Sequence, residues 1–229
     1  MMIKHKKEFT VGLGMLVSFF VVLVIIFSPV FGGHNGLEYL DRLYNSIAKG
    51  SAYYIPKVRE DIKQMGESPV DMTLTMDSAA QAQQTAPLFM QAGALVNVSE
   101  AKLRVNGSLE KMLNACLDDA DAMYHNDGKK LADKYGYNER QALYNWWKAF
   151  KSGEKVLLDT KKFKEAKVIV QLNQKALETA YNFYQIEPQK ILDRLGVVVF
   201  SLAFYVVYTM WYGFAILFMF EGWGMQLEH

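Results

Sequence analysis

The sequence predicts an all-α membrane protein, with two transmembrane helices flanking an extracytoplasmic up-down four-helix bundle. Three observations carry that prediction. Two long stretches, 9–33 and 195–220, contain no Asp, Glu, Lys or Arg, and a hydrocarbon core about 30 Å thick needs only about 20 apolar residues in a helix. Between them, apolar residues recur at three- and four-residue intervals, the period of one helical face. No strand-like alternation bounded by hairpin turns appears anywhere, so strands are not expected.

The resulting division is a cytoplasmic tail at 1–9, a first span at 10–33, the bundle at 34–194, a second span at 195–220 and a cytoplasmic tail at 221–226. Leu227-Glu228-His229 reads as the start of an expression tag. The first apolar run exceeds the 7 to 15 residues of a signal-peptide core and lacks a small-x-small cleavage site, so it is expected to remain as an anchor. Lys4, Lys6 and Lys7 precede it, and the second span is followed by a short tail poor in charge. Lys-rich short flanks stay cytoplasmic. Both termini are therefore expected inside the inner membrane, with the bundle in the periplasm or outside the cell.

Within the bundle, Leu37, Leu40, Tyr44 and Ile47, then Ile55, Val58, Ile62 and Met65, mark a first helix over about 35–65. Gly50, Ser51 and Pro56 predict a kink or break at 50–56, because proline removes a backbone donor and clashes with the preceding turn. Residues 67–77 read as a loop and 77–90 as an Ala- and Gln-rich helix. From Val98 through Val105, Met112 and Cys116 to Met123 the spacing fits one long helical stripe, closed by the turn Asn126-Asp127-Gly128. A third main helix covers about 138–157. Asp159-Thr160 offers the cap of a fourth, whose stripe runs from Phe163 into the second span with a bend at Pro188.

Charge and cysteine exclude several functions. Lys and Arg number 25 against 24 Asp and Glu, whereas nucleic-acid binders carry a basic excess; no nucleic-acid partner is expected. The single Cys116 rules out an intramolecular disulfide and thiolate zinc sites. No Gly-rich phosphate loop, haem-attachment motif or nucleophile elbow is present, and no cofactor or enzymatic reaction is expected.

Three groups of residues remain as candidates. Asp118, Asp121 and His125 lie at i, i+3 and i+7 of a helix and offer two carboxylates and an imidazole to a divalent ion, against the plainer reading of a solvated acidic face. Trp146 and Trp147, with Tyr181 and Tyr184, are candidates to line a ligand pocket, though adjacent tryptophans more often divide between core and groove. Contact with a partner is expected at two places. Lys161, Lys162, Lys164 and Lys167 put positive charge at a helix start, against the helix dipole. Tyr205, Tyr208, Trp211 and Tyr212 place polar atoms inside the second span, where a neighbouring helix must satisfy them. Ser18 could accept such a bond and Gly12 and Gly14 would permit close approach.

In this order of parts, basic tail, span, helical bundle and second span, the chain resembles the four-helix-bundle sensor modules of bacterial chemoreceptors and sensor kinases. The resemblance is topological and rests on no motif. Those receptors continue into a cytoplasmic output domain, and a sensor without one signals through a partner. The expected function is that of a non-enzymatic membrane-anchored protein that binds or positions a partner as a subunit of a bacterial envelope complex. Its partners would be the lipid bilayer and a second protein or further copies of itself. The alternative is a ligand-sensing or solute-binding module. A tightly filled core would favour the first and a polar-lined cavity the second.

Overall fold

The computed structural model describes residues 3–225, so the expected tag at 227–229 and the end of the C-terminal tail lie outside the described residues. The chain divides into two units, one made of the N- and C-terminal portions and one of residues 49–187.

The first unit is built on α1 (Lys6–Phe27) and α10 (Leu195–Gly222), two helices long and apolar enough to span a membrane. They pack antiparallel. A Cβ on Gly12 would fall 2.7 Å from Met219 N and 2.8 Å from Ala215 O, so only glycine allows this approach. Gly14 has nothing within 4 Å of its Cβ position. The Tyr208 hydroxyl donates to Phe19 O at 3.0 Å and Trp211 Nε1 to Met15 O at 3.1 Å. Helix α2 (Gly36–Ser51) begins in this unit, where the hydroxyls of Tyr44 and Ser201 lie 2.7 Å apart.

The second unit corrects the all-helical expectation. It contains a three-stranded antiparallel sheet in the order β1-β3-β2, formed by β1 (Pro69–Thr75), β2 (Leu95–Ser99) and β3 (Lys102–Ser108). Residues 69–75, expected as loop, alternate exposed and buried, with Val70, Met72 and Leu74 inward. The proposed long stripe from Val98 is in fact a hairpin followed by a helix. Glu100 and Ala101 form its two-residue turn between the paired Ser99 and Lys102, with Glu100 at φ 52°. The α-helix starts only at Leu109. Leu103 and Val105 of β3 and Met112 and Cys116 of the helix are all buried, so a mixed run of strand and helix mimicked one helical period. The domain is therefore α+β, and the up-down four-helix arrangement does not describe it.

Around the sheet lie α3 (Ile55–Met65), α4 (Ala79–Gln91), α5 (Leu109–Tyr124), α6 (Gly128–Tyr135), α7 (Glu139–Asp159), α8 (Phe163–Leu172) and α9 (Glu178–Phe183). The break between α2 and α3 falls at residues 52–54, as Gly50 and Pro56 predict. Local chemistry accounts for several helix starts. Ser78 Oγ accepts from Gln81 N, and Gln81 Oε1 accepts from Asp77 N, which satisfies two otherwise orphaned donors. Asn138 Oδ1 caps α7 through Gln141 N. Thr160, expected to cap the last helix, instead ends α7 by bonding back to Val156 O.

Helix α7 is central to the core. It packs against β1, α4, α6 and α8. Trp146 is fully buried, stacked on Phe150 at 5.4 Å and edge-on to Phe89 at 4.8 Å. Between α8 and α9 the helix widens into a π-helical segment, Asn173–Leu177. The run ends at Phe183 and residues 184–190 are not helical. The expected continuous passage into the second span is thus replaced by a break, beginning at Gln185 with φ 66°.

Candidate functional site

Just over one turn of α7 presents Leu143, Tyr144 and Trp147 to the π-helical segment and α9, which contribute Leu177, Glu178 and Tyr181. Together they line an open groove of about 250 Å³. The extra residue per turn of a π-bulge shifts the side chains that follow it, and such bulges recur at functional sites. Trp147 Nε1 donates to Glu178 Oε1 at 2.9 Å, and the Tyr144 ring lies parallel to the indole at 5.8 Å. Lys151 Nζ stands 4.7 Å from the Trp147 ring, and the Arg140 guanidinium 5.5 Å from the Tyr181 ring. The groove thus has aromatic walls, one carboxylate already engaged and cations at its rim. It can accept an apolar or aromatic side chain of another molecule.

Of the four residues expected to line a pocket, Trp147 and Tyr181 come together here. Trp146 and Tyr184 do not. Trp146 faces the opposite side of α7 into the core. Tyr184 is buried beside Gly128, with its hydroxyl donating to Glu139 Oε1 at 2.9 Å, and burial pushes that hydroxyl's pKa up.

The acidic candidates disperse. Asp118 Oδ1 receives Arg59 Nη2 at 2.7 Å. Asp121 accepts from the Tyr53 hydroxyl at 2.9 Å and lies 3.1 Å from His125 Nδ1. Among the described residues no group of three or more His, Cys, Asp or Glu is placed to hold a metal ion.

The neighbouring Asp119, not among the metal candidates, is the chemically unusual member of this run. It is 4% exposed and accepts three bonds, from Trp146 Nε1 at 2.8 Å, the Tyr135 hydroxyl at 2.5 Å and Lys134 Nζ at 2.7 Å. A buried carboxylate is tolerated when its lone pairs are filled and its charge is paired, and here it ties α5, α6 and α7 together. Burial, then the Asp119 charge, push the Tyr135 pKa far above that of a free phenol. Cys116, one turn away, is fully buried and its thiol is likewise raised, chiefly by burial, which makes it unreactive.

A second polar cluster was not anticipated. Lys49, 1% exposed, donates to Asn126 Oδ1 at 2.9 Å and Ile186 O at 2.6 Å, while the Tyr124 hydroxyl donates to Lys49 O. Asn126 adopts φ 63°, a left-handed conformation that asparagine tolerates well. It also accepts from Gln185 N at 2.8 Å. This clasp joins the first and last residues of the domain.

The basic run has local employment. Lys164 Nζ donates to Gln64 O at 3.0 Å and Met65 O at 3.2 Å, the free carbonyls ending α3, and Lys162 Nζ to Pro69 O at 3.1 Å. A cation suits a helix C-terminus, which explains positive charge at the start of α8. Lys161 and Lys167 are exposed. In the second span, Tyr208 and Trp211 bond to α1 as described, while Tyr205 and Tyr212 are exposed, Tyr212 with its ring 5.1 Å from Phe19. Ser18, a suggested acceptor, instead donates to Gly14 O and Met15 O of its own helix.

No protein-family model, no curated protein and no solved structure matches the chain.

Proposed function

We propose that this is a membrane-anchored, non-enzymatic protein whose extramembrane domain binds or positions another protein, as a subunit of an envelope complex. The observation that carries this reading is the contrast between core and surface. The core is filled with Leu, Val, Met and aromatic side chains at zero or near-zero exposure. The aromatic groove at Trp147 and Tyr181, by contrast, is open, and grooves of this kind receive the anchor side chains of partners. Asp118, Asp119, Lys162 and Lys164 are occupied in bonds that hold elements of the domain together, which supports a binding role over a reaction. The two apolar helices supply the anchor. Lys4, Lys6 and Lys7 at the N-terminal end of the first apolar run favour cytoplasmic termini and an exported domain.

The test is the mass of the protein extracted from its native membrane in nanodiscs, with every co-purifying chain identified. A reproducible stoichiometric partner is the expected result. A lone monomer overturns the reading and directs attention to small ligands of the groove. Protease protection in spheroplasts checks the orientation, with cleavage expected in the domain.

A further inference from the structure

Strand β1 is an edge strand whose outer side is only partly used. Its even-numbered residues turn their backbone groups toward β3, as the flanking bonds from Met76 N to Ala101 O and from Leu109 N to Ser68 O demonstrate. Backbone groups alternate sides along an antiparallel strand, so Pro69, Asp71, Thr73 and Thr75 turn theirs outward. At one end Thr75 N donates to Ser152 Oγ at 2.8 Å, and at the other Pro69 O accepts from Lys162. Between these two ties the N–H and C=O groups of Asp71 and Thr73 have no partner among the described residues, and both residues are exposed.

Beside this edge runs the outer face of α7. Thr73, Thr75, Lys148, Lys151, Ser152 and Lys155 line an open groove of about 520 Å³. The lysines fall at i, i+3 and i+7, so they form a row about 10 Å long at 1.5 Å per residue. Lys148 is paired with Asp77 at 2.6 Å. Lys151 rests over the Trp147 ring and Lys155 has no carboxylate partner among the described residues. Asp71, the carboxylate on the strand itself, is held by both arms of Arg104 at 2.9 and 2.7 Å, which lowers its pKa. The groove therefore presents unpaired ladder groups on one wall and under-neutralised positive charge on the other. Trp147 also lines it, and so connects it with the aromatic groove.

We infer that the groove between β1 and α7 receives an extended acidic segment of a partner protein, which adds to the sheet as a short fourth strand beside β1. The ladder groups of Asp71 and Thr73 supply main-chain affinity, as in other cases of strand addition. Carboxylates at alternate positions of the segment, about 7 Å apart, meet the row of lysines. The inference rests on the reading of the domain as one that binds another protein, and names the chemistry of that partner.

The experiment uses the full chain in nanodiscs of zwitterionic lipid and a fluorescent peptide of alternating Glu and Val. Binding is measured for the natural protein, for a Lys148→Gln/Lys151→Gln/Lys155→Gln variant and for Thr73→Pro. Proline is tolerated on a strand edge that faces solvent but removes the outward donor. Each variant is expected to weaken binding about fivefold, the lysine variant by removing exposed ion pairs and Thr73→Pro by removing one main-chain hydrogen bond. Hydrogen exchange at the Asp71 and Thr73 amides is expected to slow on binding. Undetectable binding, equal binding of a Lys-Val peptide, or indifference to Thr73→Pro overturns the inference. Equal competition by inorganic phosphate or an oligonucleotide at matched ionic strength also overturns it, by showing a site for anions in general. A co-purified partner that cross-links away from Lys151 and Lys155 sinks this inference alone; the absence of any partner sinks the broader reading.

Discussion

The helix pair α1/α10 and the domain of residues 49–187 solve the same problem, bringing elements together without stranding polar groups, by different physics. In the domain, apolar burial drives association and the polar hubs at Asp119 and Lys49 sit inside or at the border of a filled core. In the helix pair, most apolar side chains point outward: Val24, Phe200 and Leu202 are more than half exposed. Two helices long and apolar enough to span a bilayer would there meet lipid as apolar as the partner helix, so close packing and side-chain bonds supply the attraction. Hence glycine at residue 12, and the bonds from Tyr208 and Trp211 to backbone carbonyls of α1. The lesson is that the domain rests on apolar burial and pays for a few buried polar groups with hydrogen bonding, whereas the helix pair depends on the absence of one side chain.

The sharpest way to break the comparison is Asp119→Ala. It leaves the Trp146 N–H and the Tyr135 hydroxyl without an acceptor and Lys134 without its counter-ion. We expect a loss of about 3 kcal/mol, the usual cost of opening a buried pair, read as a lowered midpoint of denaturant unfolding followed by tryptophan emission. Removing only the charge, Asp119→Asn, should cost less, because the amide oxygen still accepts.

In the helix pair, Gly12→Val drives a side chain into the backbone of Ala215 and Met219. A cost of about 2 kcal/mol is expected from overpacking, measured by SDS titration in mixed micelles. Gly14→Val is the internal control: its site is open, and the same titration should hardly move. Equal effects at the two positions would mean that the helices do not pack through Gly12.

Lys49 tests the domain's polar clasp through pH. Burial lowers its pKa from the ordinary 10.5, with Glu187 opposing that shift. Between the lowered value and about 10.5, the unfolded chain binds more protons than the folded one, so stability rises with pH in that window. Lys49→Met should flatten this rise. The comparison with the variant is needed because Tyr124 and Tyr135 have raised values and act in the opposite direction above pH 10. The smallest effect expected is that of Trp211→Phe, which removes the N–H bond to Met15 O. A cost of about 0.6 kcal/mol is typical of such bonds between membrane helices.

The break before α3 and the start of α7 were legible because their causes are local. Asn138 before a helical period and Pro56 after Gly50 act on their own backbone. Strand β1 was also written in the sequence, as the alternation Val70, Met72, Leu74, Met76. The segment nevertheless reads as a loop because Glu67, Asp71 and Asp77 are poor strand formers. The hairpin was harder. Its turn, Glu100-Ala101, carries neither Gly nor Asn, and Val98 and Val105 fit the helical stripe continued by Met112. Of the site, Trp147 and Tyr181 were found from their residue type, while the division between Trp147 and the buried Trp146 required the direction of α7.

By itself the sequence determined the two apolar helices and the break between α2 and α3, since length, hydropathy and the proline–glycine signals act over a few residues at most. Tertiary structure alone decided the sheet order, the burial of Asp119 against Trp146 and the pairing of Asp118 with Arg59. It also decided that Gly12 rather than Gly14 meets the other helix. Each of these depends on which distant residues are brought within bonding distance, and a periodic pattern of apolar residues specifies a face without naming the surface that covers it.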